Sequence, residues 1–171
     1  TTGNITFNIN REASYNGNVN NNINTTGTVS FLPTLATGFL SQVPTIGTKI
    51  SSDATGLTIG NDVSTNTWAY SSSNPYSIAG PIRIYAGTAS VTQNMTSTGS
   101  GAGILIKATG DITSSGGTSS VARVLRTNAG PITLWSDADN SGAGAINLAD
   151  YTTINTANGA TTTVAVSYTH L

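Results

Sequence analysis

The chain has no cysteine, a single histidine and few charged residues. Only 8% of its 171 residues are charged, and the formal net charge is -1. Without cysteine the chain can form no disulfide, thiolate metal site or thiol nucleophile. Phosphate backbones attract proteins that carry a basic field, and this composition supplies none. The sequence therefore predicts no nucleic-acid partner.

Long apolar runs and aromatic residues are also scarce. Hydrophobic residues make up 37% of the chain and aromatic residues 6%. The longest apolar run is a few residues, whereas a helix needs about 20 to cross a bilayer, so we predict no transmembrane segment in this piece. Threonine, serine, asparagine and glycine fill most of the remainder, which favours thin β layers over a thick helical core.

Both ends of the sequence suggest a fragment. The chain opens on Thr1 and shows no charged, then apolar, leader, so we interpret it as a piece of a longer protein. Residues 167–171 depart from the chemistry of the rest and are predicted to be a non-native tail. His170, the only histidine, lies in that tail.

One turn-plus-strand unit recurs along the chain. Each copy places a glycine just before two aliphatic residues that stand two positions apart, in residues 80–84, 103–106, 130–134 and 144–148. Residues two apart share one face of a strand, and glycine permits the close backbone approach that a chain reversal needs. Repetition of such a unit is typical of a solenoid, in which successive turns of chain stack.

Stacking in register predicts two inward columns and one outward column. The copies recur at intervals of roughly 20–30 residues, close to one turn of a parallel β-helix. Ile146 and Leu148 come too early for a new turn, and we assign them to a second face, comparable with Val91 and Ile112. Val164 and Val166 would open the next turn. The predicted inward columns are Leu57, Ile82, Ile104, Ile132 and Ile59, Ile84, Ile106, Leu134, and the outward column is Thr58, Arg83, Leu105, Thr133.

The predicted fold is an all-β parallel β-helix over residues 51–166. An antiparallel β-sandwich stays open as the alternative, because Asn-Gly and Gly-Gly turns also suit hairpins. Residues 1–50 form a poorly regular segment that could supply the first turns of the stack. Within it, Ile5, Phe7 and Ile9 alternate, an Asn16-Gly17 turn follows, and the prolines of residues 31–50 predict a loop.

The repeats resemble those of very large bacterial surface proteins of the filamentous haemagglutinin, or β-strand-repeat, type. The similar segments are LTIG at 57–60, IAGPIRIY at 78–85, ILIKATGDI at 104–112 and ITLWSDAD at 132–139. The resemblance spans roughly residues 56–159 and rests on the order of these short motifs. It implies a right-handed, single-stranded parallel β-helix, exported across the cell envelope as part of a long fibre. It implies no catalytic or cofactor residues.

A calcium-binding turn is the one predicted metal site. Asp137, Asp139 and Ser141 place oxygen ligands at positions one, three and five of a calcium loop, with Gly142 at position six for the sharp turn. Position twelve is Leu148 where such a loop carries a bidentate glutamate. A hydrated turn without an ion is the alternative. A bound Ca²⁺ would staple the turn.

Asp137 and Asp139 also support an alternative function. Two residues apart on a strand, they would face one side, as the acid and base of a polysaccharide-processing enzyme must. Arg123 and Arg126 could join them. Against this, other acidic residues fall in other predicted turns, and a nucleophilic triad lacks its histidine base. We therefore predict a non-catalytic protein without a small-molecule cofactor.

Two aromatic groups are candidates for contact with ligands. Trp68, Tyr70 and Tyr76 could stack on carbohydrate, or simply cover a protruding loop. A second outward column would place Lys107 between the rings of Tyr85 and Trp135, with a solvated face as the alternative.

These observations together predict a structural or adhesive segment of an exported bacterial fibre, located outside the cell at its surface. Its partners would be the neighbouring repeat turns of a longer chain and glycans of a host surface or matrix. Outward serine, threonine and asparagine would offer weak, multivalent contacts.

Overall fold

The computed structural model describes residues 2–9, 22–35, 49–62, 65–69, 75–115, 122–157 and 159–166. Regular structure in these residues is entirely β-strand, which confirms the predicted class, and they include no helix long and apolar enough to cross a membrane. The strands are β1 (Ile5–Asn8), β2 (Asn22–Ile23), β3 (Thr28–Leu32), β4 (Lys49–Ile50), β5 (Gly56–Ile59), β6 (Trp68–Ala69), β7 (Tyr76–Ile78), β8 (Ile82–Ala86), β9 (Ala89–Val91), β10 (Met95–Ser100), β11 (Ile104–Ala108), β12 (Ile112–Ser114), β13 (Arg123–Asn128), β14 (Ile132–Ser136), β15 (Ile146–Asn147), β16 (Thr152–Ala157) and β17 (Thr162–Val166).

Three sheets carry most of these strands. The long sheet has the order β1-β3-β5-β8-β11-β14-β17, the second sheet β16-β13-β10-β7 and the third sheet β15-β12-β9-β6. From β5 onward each strand pairs with the strand three places further along the chain. Three consecutive strands, such as β8, β9 and β10, therefore give one strand to each sheet, and we call such a set a strand triplet.

Every strand pair formed by the described residues is parallel. The antiparallel β-sandwich is therefore wrong as an alternative. Parallel pairing needs a crossover between partners, and here the other two strands of the triplet provide it. From β5 onward, neighbouring strands of a sheet consequently lie one triplet apart in the sequence.

Both predicted inward columns are present in the long sheet. Ile104 aligns with Ile82 on one side and Ile132 on the other, and Ile106 aligns with Ile84 and Leu134. Leu57 and Ile59 continue the columns on β5. All eight side chains are buried, because residues two apart on a strand share the inward face. The outward column, exposed or half-buried, is also in register and consists of Thr58, Arg83, Leu105 and Thr133.

The second and third sheets complete the core. Tyr76, Met95 and Leu125 align across the second sheet and are buried. Ile146 pairs with Ile112 in the third sheet, which confirms its assignment to a second face. Leu148 does not share that role, because β15 ends before it and the side chain is 37% exposed.

The long sheet extends into the first 50 residues. Ile5 and Phe7 of β1 align with Val29 and Phe31 of β3, and the two phenylalanine rings stack 4.7 Å apart. β3 in turn pairs with β5. The loop predicted for residues 31–50 is wrong at both ends, where β3 and β4 lie. The predicted Asn16-Gly17 turn lies outside the described residues.

Glycines in the turns that precede the strands of the long sheet allow the backbones of adjacent triplets to come into contact. A Cβ atom at Gly130 would lie 2.0 Å from the carbonyl oxygen of Ala102, and one at Gly80 would lie 1.9 Å from that of Thr55. No side chain fits at these distances. The glycines of the recurring motif therefore serve close approach between backbones.

Candidate functional site

The predicted calcium turn begins where β14 ends. β14 stops at Ser136, and Asp137 follows with φ at 51°, outside strand conformation. Its backbone carbonyl accepts a hydrogen bond from the Asn140 amide at 3.0 Å, which closes a tight turn. Aspartate tolerates positive φ better than most residues because its short side chain can bond locally. Asp137 is also only 1% exposed.

The Asp137 carboxylate organises the rest of this turn. Its Oδ1 accepts hydrogen bonds from the Ser141 hydroxyl at 3.1 Å and from the Gly142 amide at 3.0 Å. Asp139 Oδ1 accepts a weaker bond from the Ser141 amide at 3.3 Å. Asp137 Oδ2 is buried and has no hydrogen-bond partner. The structure thus brings the three predicted ligand residues together, with Asp137 at the centre.

The bonds within the turn bear on the calcium assignment. Ca²⁺ takes six to eight oxygen ligands. In this turn Asp137 Oδ1 and the Ser141 hydroxyl are already bonded to each other. The described residues contain no group of three or more His, Cys, Asp or Glu side chains that could hold a metal ion. Calcium at Asp137, Asp139 and Ser141 therefore stays a prediction, and the observed bonds are those of a turn that stabilises itself.

The predicted acid and base pair does not have the expected geometry. Asp137 is buried and Asp139 is exposed, so only one of the two carboxyls is open to a substrate, although both accept hydrogen bonds from Ser141. The expectation failed because both residues follow the end of β14, where the alternation of a strand no longer applies. Arg123 and Arg126 lie on β13 in the second sheet, where they align with Thr152 and Asn155 of β16.

Replacing Asp137 with alanine tests the role of the turn. The change removes the acceptor of two hydrogen bonds but also a buried oxygen that has no partner, so we expect it to lower the free energy of unfolding by about 1–2 kcal/mol. Asp139→Ala removes one exposed bond and should cost less than about 1 kcal/mol. Thermal unfolding of the parent with chelator and with excess Ca²⁺ tests the calcium prediction. A parent transition raised by Ca²⁺, with no such rise in Asp137→Ala, would establish the calcium site, and identical transitions would contradict it.

A fixed cation lies on the outward face of the long sheet. Lys107 Nζ lies 4.7 Å from the centroid of the Trp135 ring and 2.9 Å from Asp62 Oδ1. In register, Lys107 aligns with Trp135 on one side and Tyr85 on the other, as predicted. The ring of Trp135 thus makes one of the two predicted contacts. Tyr85 lines a small cleft together with Lys107 and Asp62.

Asp62 is the member of this group that the sequence did not indicate. It is 45 residues from Lys107, and no local pattern links the two positions. The Asp62 side chain is 70% exposed and that of Lys107 is 22% exposed. An ion pair this exposed contributes less than about 1 kcal/mol to stability. It orients the lysine on the surface more than it stabilises the fold.

The predicted carbohydrate-stacking patch is wrong for two of its three residues. Trp68 is fully buried and Tyr76 is 3% exposed, so neither ring faces solvent. Each begins a strand, β6 and β7 respectively, and points into the core. Tyr70 lies outside the described residues. The residues next to these aromatics in the sequence are polar, and such neighbours predict exposure and not burial.

Two shallow grooves cross the outward faces of the sheets. One lies on the long sheet between Pro81 and Pro131, and Arg83, Leu105 and Thr133 line it. The other lies on the second sheet and is lined by Thr96, Thr98, Arg126, Asn128 and Ala157, together with Ser97 and Thr127. Hydroxyl, amide and guanidinium groups suit weak hydrogen bonding to polar ligands.

Comparisons with protein-family models, curated proteins and solved structures find no match. The function that we propose therefore rests on the chemistry of the described surface. That surface offers hydroxyls, amides, one cation held by a carboxylate and a ring, and two grooves. These groups can bind polar ligands weakly at many points.

Proposed function

We propose that the chain is a structural and adhesive segment of an exported bacterial cell-surface fibre. It is non-catalytic, and it provides reach and a polar surface for display. Its partners are neighbouring repeat turns of a longer chain and glycans of a host surface or matrix. The observation that carries this proposal is the column of aligned aliphatic residues through the long sheet.

The proposed architecture is a right-handed, single-stranded parallel β-helix. Support comes from the strand triplets, since each gives one strand to each sheet and the order of strands is the same in all three sheets. One triplet is then one coil of the helix. The right hand follows from the general rule that crossovers between parallel strands are right-handed in about 98% of cases.

Mechanical reach follows from this architecture. Each coil adds about 4.8 Å along the axis, because that is the spacing of hydrogen-bonded strands. No single coil could bury its own apolar face, so the core exists only as a continuous stack. More coils lengthen the shaft without any change in its cross-section. A long exported protein built this way would hold its tip far from the cell.

The surface supports adhesion by many weak contacts. One groove offers the polar groups of Arg83 and Thr133 on either side of apolar Leu105, and the other offers those of Thr96, Arg126 and Asn128. Linked copies of a weak site can bind 10²–10⁴-fold more tightly than one site, if their geometry allows simultaneous contact. No described feature specifically favours the polysaccharide-processing alternative, since Asp137 is buried and Asp139 alone is open to a substrate.

Two measurements test the proposal. Antibodies raised against the chain should label intact cells of the source bacterium, and external protease should remove the label. Beads carrying many copies should bind a glycan-coated surface at least about 100-fold more tightly than the free chain. Labelling that appears only after permeabilisation would refute the location. Release of new sugar ends from the glycan would favour the enzyme instead.

A further inference from the structure

The turn between β10 and β11 is longer than the next turn of the same kind, between β13 and β14. Ser97 aligns with Thr127 in the second sheet, and Ile104 aligns with Ile132 in the long sheet. Seven positions separate Ser97 from Ile104, whereas five separate Thr127 from Ile132. The ladder shifts register between Ser97 and Ser100 to accommodate the two extra residues. In stacked repeats, insertions often lie on the face that binds a ligand.

Hydrogen bonds hold this longer turn in place. The Gly101 amide donates to the Asn128 carbonyl at 2.9 Å, and the Asn128 side-chain amide donates to the Thr98 carbonyl at 3.1 Å. Gly101 is exposed, with φ at 74°, and a Cβ atom there would meet nothing within 4 Å. The turn therefore protrudes in a fixed shape. A surface that is ordered before its ligand arrives binds at a lower entropic cost.

Residues 100–103 of this turn form one wall of the groove on the long sheet. Pro81 and Pro131 precede β8 and β14, and Gly103 takes the equivalent place before β11. Because glycine has no side chain, it leaves space on the outward face between the two prolines. The groove has a volume of about 510 Å³, within the range of about 300–1,000 Å³ for sites that bind small molecules.

Among the described residues that line this groove, Arg83 alone is charged. Arg83 is exposed on the outward face, and its aligned neighbours are Thr58 and Leu105, so the column places no carboxylate beside it. Its side chain makes no ion pair within the described part of the chain, whereas Lys107 is paired with Asp62. The Arg83 guanidinium is therefore free to bind an anion.

The groups around Arg83 select among anions. The planar guanidinium matches the two oxygens of a carboxylate, which it binds through two parallel hydrogen bonds. A phosphate carries nearly two charges and would need a second cation, which the described lining does not supply. Leu105 and the two prolines offer apolar surface, and Ser100 and Thr133 offer hydroxyls. A sugar acid presents the matching set, namely a carboxylate, hydroxyls and the C–H groups of its ring.

We propose that this groove binds a carboxylated sugar residue of an acidic glycan, with the Arg83 guanidinium on the carboxylate. The Ser100 and Thr133 hydroxyls bond to hydroxyls of the sugar, and Leu105 packs against the C–H groups of its ring. This inference rests on the proposed function, because it names the class of glycan that the adhesive surface holds. The site lies on β8, β11 and β14, each of which has a neighbouring strand on both sides.

Trigalacturonate and its methyl ester are matched probes, because they differ only in the charge of their carboxyl groups. We expect trigalacturonate, titrated into the ¹⁵N-labelled chain, to shift the amide resonances of Gly101, Leu105 and Thr133. The methyl ester should bind at least about tenfold more weakly, since it cannot form the charged hydrogen bonds. Equal binding of the two probes, or shifts confined to other faces of the molecule, would overturn the proposal.

Arg83→Gln tests the guanidinium, and Arg126→Gln is the matched control. Both arginines are exposed, but Arg126 lies on β13 and lines the groove of the second sheet. Arg83→Gln should weaken trigalacturonate binding at least about tenfold, and Arg126→Gln less than about twofold. Equal losses in the two variants would show that net charge attracts the probe and would overturn the groove. Tighter binding of a sulfated neutral trisaccharide than of trigalacturonate would assign the groove to sulfate esters and overturn the carboxylate.

These results separate the groove from the proposed function. Labelling of intact cells does not depend on Arg83 or on any acidic sugar. A chain that labels the cell surface but does not bind trigalacturonate would remove the acidic-glycan site and leave the surface fibre standing. Labelling confined to permeabilised cells, with binding of trigalacturonate that requires Arg83, would remove the surface fibre and leave the carboxylate-binding groove standing.

Discussion

Ile104→Asp is expected to abolish cooperative folding of the strand triplets on either side of β11. Ile104 lies in the middle of the first inward column, between Ile82 and Ile132, and is buried. A carboxylate there would be desolvated without a partner and would also leave a cavity. We expect a loss of at least about 4 kcal/mol, a large part of the stability of a domain of this size.

Leu105→Asp is the matched control, since Leu105 is the next residue on the same strand and points outward. We expect it to cost about 1 kcal/mol or less. Circular dichroism during thermal unfolding measures both variants. If Ile104→Asp melted at the parent temperature, the column would not be the core. If both variants unfolded alike, the effect would come from added charge and not from the inward position.

Gly130→Ala is expected to have the second-largest effect. The new Cβ atom would lie 2.0 Å from the Ala102 carbonyl oxygen and 2.3 Å from its carbon. Because both neighbours are backbone, no side-chain rotation can relieve the clash. Two adjacent triplets must move apart at the corner that precedes β14. We expect a loss of about 3 kcal/mol, at the upper end of the range for overpacking.

Gly3→Ala controls for the general effect of replacing glycine. A Cβ atom at Gly3 would meet nothing within 4 Å, so the change should alter stability by less than about 0.5 kcal/mol. Chemical denaturation of the two variants gives the comparison. Equal stability of Gly130→Ala and the parent would mean that the turn before β14 can move enough to accommodate a Cβ atom. The close approach of the two backbones would then not determine the spacing of the triplets.

The long sheet could be predicted from sequence because its signal is local and repeated. Ile82 and Ile84, then Ile104 and Ile106, follow glycine at nearly the same offset, and period-two alternation determines which side chains face in. The second sheet could not be predicted in this way. β10 reads MTSTGS, and its buried Ser97 is paired through a hydrogen bond to the Gly80 carbonyl rather than by apolar contact. Because polar Ser97 occupies an inward position, the alternation of apolar and polar residues does not reveal that β10 is a core strand.

The errors at the candidate site have equally specific causes. The alternation of β14 does not continue to Asp137 and Asp139, because positive φ at Asp137 redirects the chain. Trp68 and Tyr76 are buried although their neighbours in the sequence are polar, and polar neighbours alone predict an exposed position. The Lys107–Asp62 pair joins residues 45 positions apart. Such a contact depends on how the strand triplets stack, so no short segment of the sequence predicts it.

The placement of Asp62 links two strands that share no ladder hydrogen bond. Ladder hydrogen bonds join only nearest neighbours in the long sheet, yet Asp62 follows β5 and Lys107 lies on β11, with β8 between those strands. Their ion pair therefore joins two strands across a third on the outward face. Because salt screens an ion pair this exposed, the link weakens as ionic strength rises, whereas the backbone ladder beneath it does not.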